Sequence, residues 1–124
     1  MENYTTVLPE HLNHYGYLFG GCLLKWVDEF AYIAAKIEFP GHHFVTVALD
    51  KVEFKHSIRQ GQILRFSINL AKLGNTSVQY HVQVFDACDP AEPGTPLFVT
   101  TITFVNVDEH GRKQPISRRT ASSC

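Results

Sequence analysis

One stretch of the chain has a helical period and five short stretches read as strands. Over residues 22–37, Leu23, Trp26, Val27, Phe30, Ile33, Ala34 and Ile37 recur on one broad helix face, which Leu24, Ala31 and Ala35 widen. Lys25, Glu29, Tyr32 and Lys36 fall opposite. Gly20-Gly21 precede this stretch and Pro40-Gly41 close it. Asp28 breaks the pattern: it falls at the margin of the apolar face, beside Leu24, Ala31 and Ala35.

The strands lie almost wholly after the helix. Residues 4–8 predict a short opening strand ended by Pro9. Residues 44–54 alternate on Val45, Val47 and Leu49, then change parity to Val52 and Phe54, which predicts a bulge near Asp50-Lys51. Residues 63–71 set Leu64, Phe66, Ile68 and Leu70 against Arg65, Ser67 and Asn69. Residues 77–86 do the same with Val78, Tyr80, Val82 and Val84. Turns are marked by Gly61-Gln62 and Gly74-Asn75. The last strand, residues 97–107, is less cleanly sorted, as expected of a strand buried on both faces. An early apolar-faced helix followed by a bent antiparallel sheet of about five strands gives an α+β domain, the sheet wrapped around one long central helix.

Composition narrows the picture. The 124 residues predict a single domain, 1–124, with a polar tail over 108–124. A hydrophobic fraction of 44% and a charged fraction of 19% describe an ordinary globular protein. A net charge of −1 lacks the footprint of a nucleic-acid binder. No apolar run approaches the ~20 residues that span a bilayer, so no membrane partner is expected. The first residues carry no basic segment followed by an apolar one, so no signal peptide is expected. Cys22, Cys88 and Cys124 are odd in number and widely spaced, which predicts reduced thiols and a cytoplasmic location. His42-His43 are the only adjacent pair among the histidines and have no other ligand type at a metal-site spacing, so no metal is predicted.

The candidate chemistry sits at the helix. A carboxylate half withdrawn from water, such as Asp28 at its boundary position, makes a more useful base or nucleophile. The first N–H groups of a helix have no internal partner and carry the positive end of its dipole. Gly20 and Gly21 therefore suit a carbonyl oxygen that is becoming an anion. Gly21 and Asp28 are separated by roughly 10 Å along the axis, at ~1.5 Å per residue. A donor and a base acting on one carbonyl must each lie within about 3 Å of it. One helix cannot easily supply both, whereas two antiparallel copies related by a twofold axis can.

Asn13-x-x-Gly16-x-x-Phe19-Gly20-Gly21, then Asp28, then Gly74-Asn75-Thr76-Ser77, resembles the hotdog-fold acyl-CoA thioesterases, specifically the short bacterial single-domain acyl-CoA hydrolases. The resemblance runs from about Leu8 to about Pro115. It implies hydrolysis of acyl-CoA thioesters without a cofactor, by a homodimer or by a tetramer or hexamer built from dimers. It further implies that Asp28 is the catalytic carboxylate, that Gly20-Gly21 form the oxyanion site, and that Asn13 orients the thioester or water. Gly74, Asn75, Thr76 and Ser77 would lie beside the pantetheine arm, although family members commonly carry threonine where this chain has Asn75. Arg112, Lys113, Arg118 and Arg119 are the densest positive charge and would meet the phosphates of CoA. A thioester carbonyl is electrophilic and its thiolate leaves readily, so one carboxylate with a preorganised oxyanion site suffices. Asp28 could activate water or attack directly to form a mixed anhydride. Two rivals remain: a hotdog-fold dehydratase or hydratase of 3-hydroxyacyl thioesters, using a histidine such as His14, and a non-catalytic acyl-CoA-binding module.

Overall fold

A computed structural model describes residues 1–91 and 94–117. In chain order these form β1 (Glu2–Thr6), a 3-10 turn (Pro9–His11), α1 (Gly20–Glu38), β2 (Phe44–Phe54), β3 (Ile63–Leu73), β4 (Ser77–Asp86) and β5 (Phe98–Asn106). The strands make one antiparallel sheet in the order β1-β3-β4-β5-β2, which leaves β1 and β2 as its edges. The α+β arrangement is the one the pattern predicts. β1 begins and ends two residues earlier than expected, because its register is set by pairing with β3, Glu2 opposite Ser67 and Thr6 opposite Ile63.

One face of the sheet receives α1. Leu64, Phe66 and Ile68 of β3, Val78, Tyr80, Val82 and Val84 of β4, and Phe98, Ile102 and Phe104 of β5 are almost wholly buried there. Leu23, Val27, Ala31, Ala34 and Ala35 form the buried stripe of the helix. Three alanines in that stripe let the helix lie close to the sheet. Trp26 and Phe30 flank it and set their rings edge-on to Phe66, at 6.4 and 4.9 Å. Ile33 and Ile37, expected on the buried face, are exposed. The stripe is centred on the alanine side, which turns these two isoleucines outward and brings Asp28 nearer the sheet than the wheel implies.

β2 carries two irregularities where the sequence predicts one. Asp50 pairs with Thr101 and Glu53 with Val99, which is the predicted bulge, and Lys51 within it takes the left-handed φ of +54°. Such a backbone costs a non-glycine residue roughly 1–2 kcal/mol. A first register shift lies between Thr46 and Ala48. Residues opposite one another in an antiparallel pair point to the same face. Thr46 therefore shares the helix side with Phe104, Leu49 with Ile102, and Phe54 with Phe98. Val45 and Val47, expected on the inner face, point outward and are exposed.

Beyond β5 the chain does not trail off. Asp108 accepts hydrogen bonds from the amides of His110 and Arg112 (2.8 and 2.9 Å) and from Arg112 Nε (3.1 Å). The amide of Arg112 above all, then that of His110 and the guanidinium, hold the Asp108 carboxyl below its ordinary range. The Gln114 amide then donates to Asn106 O, Ile116 to Asn75 O and Ser117 to His42 Nε2. The predicted polar tail is thus a docked return through residue 117, because backbone hydrogen bonds tie it down irrespective of side-chain polarity. Arg118, Arg119 and Cys124 lie outside the described residues.

Candidate active site

Asn13 acts first on its own loop. Its side-chain Oδ1 accepts from the amides of Tyr15 (2.9 Å) and Tyr17 (3.2 Å), and its backbone N–H donates to Tyr17 O (2.7 Å). Gly16 closes the turn with φ +85°, a backbone that other residues rarely adopt. Leu18 then donates to Ile58 O and Phe19 to His11 O, which fixes where α1 begins. Phe19 O accepts from Cys22 and Leu23, and the amides of Gly20 and Gly21 have no partner among the described residues. A methyl on Gly20 would face the Phe54 ring at 3.6 Å, and one on Gly21 would meet the Phe19 ring at 2.8 Å. Both glycines therefore keep the helix start open.

Asn13, Tyr17, Gly20, Phe54, Lys55 and His56 are among the lining of a cavity of ≈380 Å³ whose inner wall is apolar. Of the predicted catalytic residues, Asn13 and Gly20 line it, and Gly21, next to Gly20, is not in the lining. Nor is Asp28. It lies two turns along α1, half-buried on the flank that faces β2, and its Oδ1 accepts a 2.7 Å hydrogen bond from Thr46 Oγ1. Its other oxygen has no partner among the described residues. Sequence reasoning missed Thr46, because Val45 and Val47 claimed the inner face of β2. The parity of Phe44, Thr46 and Leu49 is the signal that could have found it.

Cys22 follows the glycines, and burial pushes its thiol up despite the opposing charge of Lys25. It stays protonated near neutral pH. His14 is exposed at the turn, its ring 4.0 Å from that of Tyr15, and does not line the cavity. Among the described residues no three His, Cys, Asp or Glu side chains gather to hold a metal ion. No helix among them is long and apolar enough to cross a membrane.

The predicted CoA-binding residues sit elsewhere in the chain. Gly74 donates to Ser77 O (2.8 Å), Thr76 O accepts from Asn106, and Asn75 O from Ile116. Arg112 pairs with Asp108 and Lys113 with the backbone of Val107, both on the exposed surface of the return. This group adjoins His42 and His43, just past the C-terminal end of α1. The structure ties this turn, through Asn106 and Ile116, to the return that carries Arg112 and Lys113, apart from Asn13, Gly20 and Gly21.

Residues 15–93 match the thioesterase superfamily, and the chain belongs to that family. Its sheet and helix have the hotdog fold. A hexameric hotdog-fold thioesterase of Campylobacter jejuni superposes with a TM-score of 0.78 at 30% identity, over 93% of this chain and 88% of that one. An acyl-CoA hydrolase from Staphylococcus aureus, solved with butyryl coenzyme A and coenzyme A, gives 0.81 at 28%, over 94% and 70%. Variants of the latter in which an asparagine, an aspartate or a threonine is replaced by alanine have also been solved. An uncharacterized acyl-CoA thioester hydrolase of Haemophilus influenzae is 31% identical over 92% of this chain and 75% of its own length. Mouse acyl-coenzyme A thioesterase 11 is 37% identical over 63% of this chain, and the chain spans 13% of that protein.

Proposed function

We propose that this protein hydrolyses acyl-CoA thioesters to the free acid and CoA, without a cofactor, at sites shared between two copies of the chain. Asp28 is the base or nucleophile, positioned by Thr46. The Gly20 and Gly21 amides receive the oxyanion, and Asn13 shapes the loop that presents them. The observation that carries this reading is the separation within one chain: Asn13 and Gly20 line a cavity that Asp28 does not reach. The exposed edge of β2, with Val45 and Val47 outside the core, supplies a surface on which a second copy can pair. Spacing in the Staphylococcus aureus hydrolase supports the assignment. Its replaced asparagine and aspartate are fifteen residues apart, as are Asn13 and Asp28, and its threonine follows the aspartate by seventeen where Thr46 follows by eighteen. The assembly is a homodimer at least, and the hexameric relatives support further association of dimers. Cytoplasmic acyl-CoA is the expected substrate pool.

The test mixes two inactive variants, Asn13→Ala and Asp28→Ala, under conditions that exchange subunits. With shared sites each mixed dimer regains one intact site, so equal random mixing restores about a quarter of wild-type activity. Confirmed exchange with no recovery overturns the shared site.

A further inference from the structure

We infer that Phe54 sets the length of acyl chain that the cavity at the start of α1 accepts, an inference that rests on the thioester reading above. The second bulge of β2 aims this residue. Between Asp50 and Glu53 the strand takes three steps while β5 takes two, from Thr101 to Val99. The extra residue changes the parity of the strand, so that Phe54 falls opposite Phe98 on the helix side. Paired regularly from Asp50 onward, the same residues would set Phe54 opposite Leu97, pointing away from α1.

Phe54 is 55% exposed, yet its ring is held. It packs 4.8 Å from the ring of Phe98, which is fully buried, at an angle of 59°. The next two amides, of Lys55 and His56, both donate to Leu97 O, at 2.9 and 3.3 Å. The ring also stands within van der Waals reach of the position a side chain on Gly20 would take. A bulky, fixed aromatic therefore forms the wall of the cavity nearest the open helix start.

The remaining walls define what it limits. Leu18, Leu23 and Ile58 form the inner side and belong to the core, whereas Asn13, Lys55, His56 and Ser57 form a polar rim. A carbonyl held at the Gly20 amide lies beside the Phe54 ring, so its hydrocarbon must pass between that ring and Leu18, Leu23 and Ile58, with the polar arm toward the rim. At ≈380 Å³ the space is near the lower end of the roughly 300–1,000 Å³ usual for small-molecule sites. Leu18, Leu23 and Ile58 are buried, whereas Phe54 and Tyr17 are exposed, so the size of residue 54 can vary without opening the core.

Wild type, Phe54→Ala, Phe54→Leu and Phe54→Trp are compared on straight saturated acyl-CoAs from acetyl to palmitoyl. Their binding of non-hydrolysable S-alkyl-CoA thioethers over the same lengths is measured by calorimetry. Circular dichroism melts establish which variants fold, and Phe54→Leu carries the test where Phe54→Ala does not. The truncated variants should move the maximum of kcat/KM to longer chains, with about a tenfold gain on the longest, and Phe54→Trp should move it to shorter ones. The break in thioether affinity should move with it. If wild type hydrolyses nothing but its thioether break moves with residue 54, the inference stands and the proposed activity fails. Folded variants with the wild-type length profile in both measurements overturn the inference.

Discussion

The two ends of α1 are built in opposite ways. Past its C-terminal end the chain ties itself off. Asn106 Oδ1 accepts from the His43 amide, and its Nδ2 donates to Gln114 O and Pro115 O. His42 accepts from Ser117, and the β3–β4 turn accepts from Ile116. At the N-terminal end, by contrast, two helix amides stay unpaired above a cavity, beside an edge strand with exposed apolar side chains. Apolar surface left uncovered is a liability in an isolated chain, and helix-start amides without a protein partner are open to an oxygen from outside. Their concentration at one end fits the shared site proposed above.

Lesions at the two ends should therefore separate activity from stability. The largest effect is expected from Asp28→Asn, which keeps shape but removes the proposed base or nucleophile. Steady-state kinetics should show kcat lower by at least about 100-fold, with the melting temperature unchanged. Thr46→Val should fall in the same direction by about tenfold, with Thr46→Ser restoring most of it, because the hydroxyl only positions Asp28. Near-normal turnover by the asparagine variant would remove Asp28 from the mechanism.

Asn106→Leu, at the tied end, should do the reverse. Stranding the His43 amide and two carbonyls costs about 1–3 kcal/mol per group. The melting temperature should fall by roughly 4 °C for each kcal/mol, while kcat of the folded fraction holds. A loss of kcat without a shift in melting would erase the contrast between the ends. The smallest effect is expected at the surface of that same end. Arg112→Gln with Lys113→Gln should raise KM for acyl-CoA by about threefold and leave kcat alone, if these cations of the partner copy meet the CoA phosphates. An unmoved KM would leave this end with no contact to substrate.

The parts of this architecture legible in the sequence are those where one face of an element is buried and the other wet. β4 matches its alternation end to end, and β3 begins where Ile63 predicts. β5 is buried on both faces only over residues 102–106, and residues 98–101 still alternate between buried and half-buried. β2 misleads because its outward face is also apolar. Val45 and Val47 imitate a core-facing set, and the first register shift, which turns Thr46 toward Asp28, leaves no mark in hydrophobicity. Asp28 was visible as a polar residue at an apolar margin, but its partner was not. The return over residues 108–117 was illegible for another reason: most of its contacts run through backbone groups, which every residue except proline carries in full.

The paired bulges of β2 bear on how this chain can change. Each bulge holds one residue without a partner on β5, so a strand shortened by one at either bulge would keep Thr46 opposite Phe104 and Phe54 opposite Phe98. In a regular strand the loss of one residue turns a whole run of side chains to the other face. A lineage of such chains could thus lose a codon at either bulge and still keep its site.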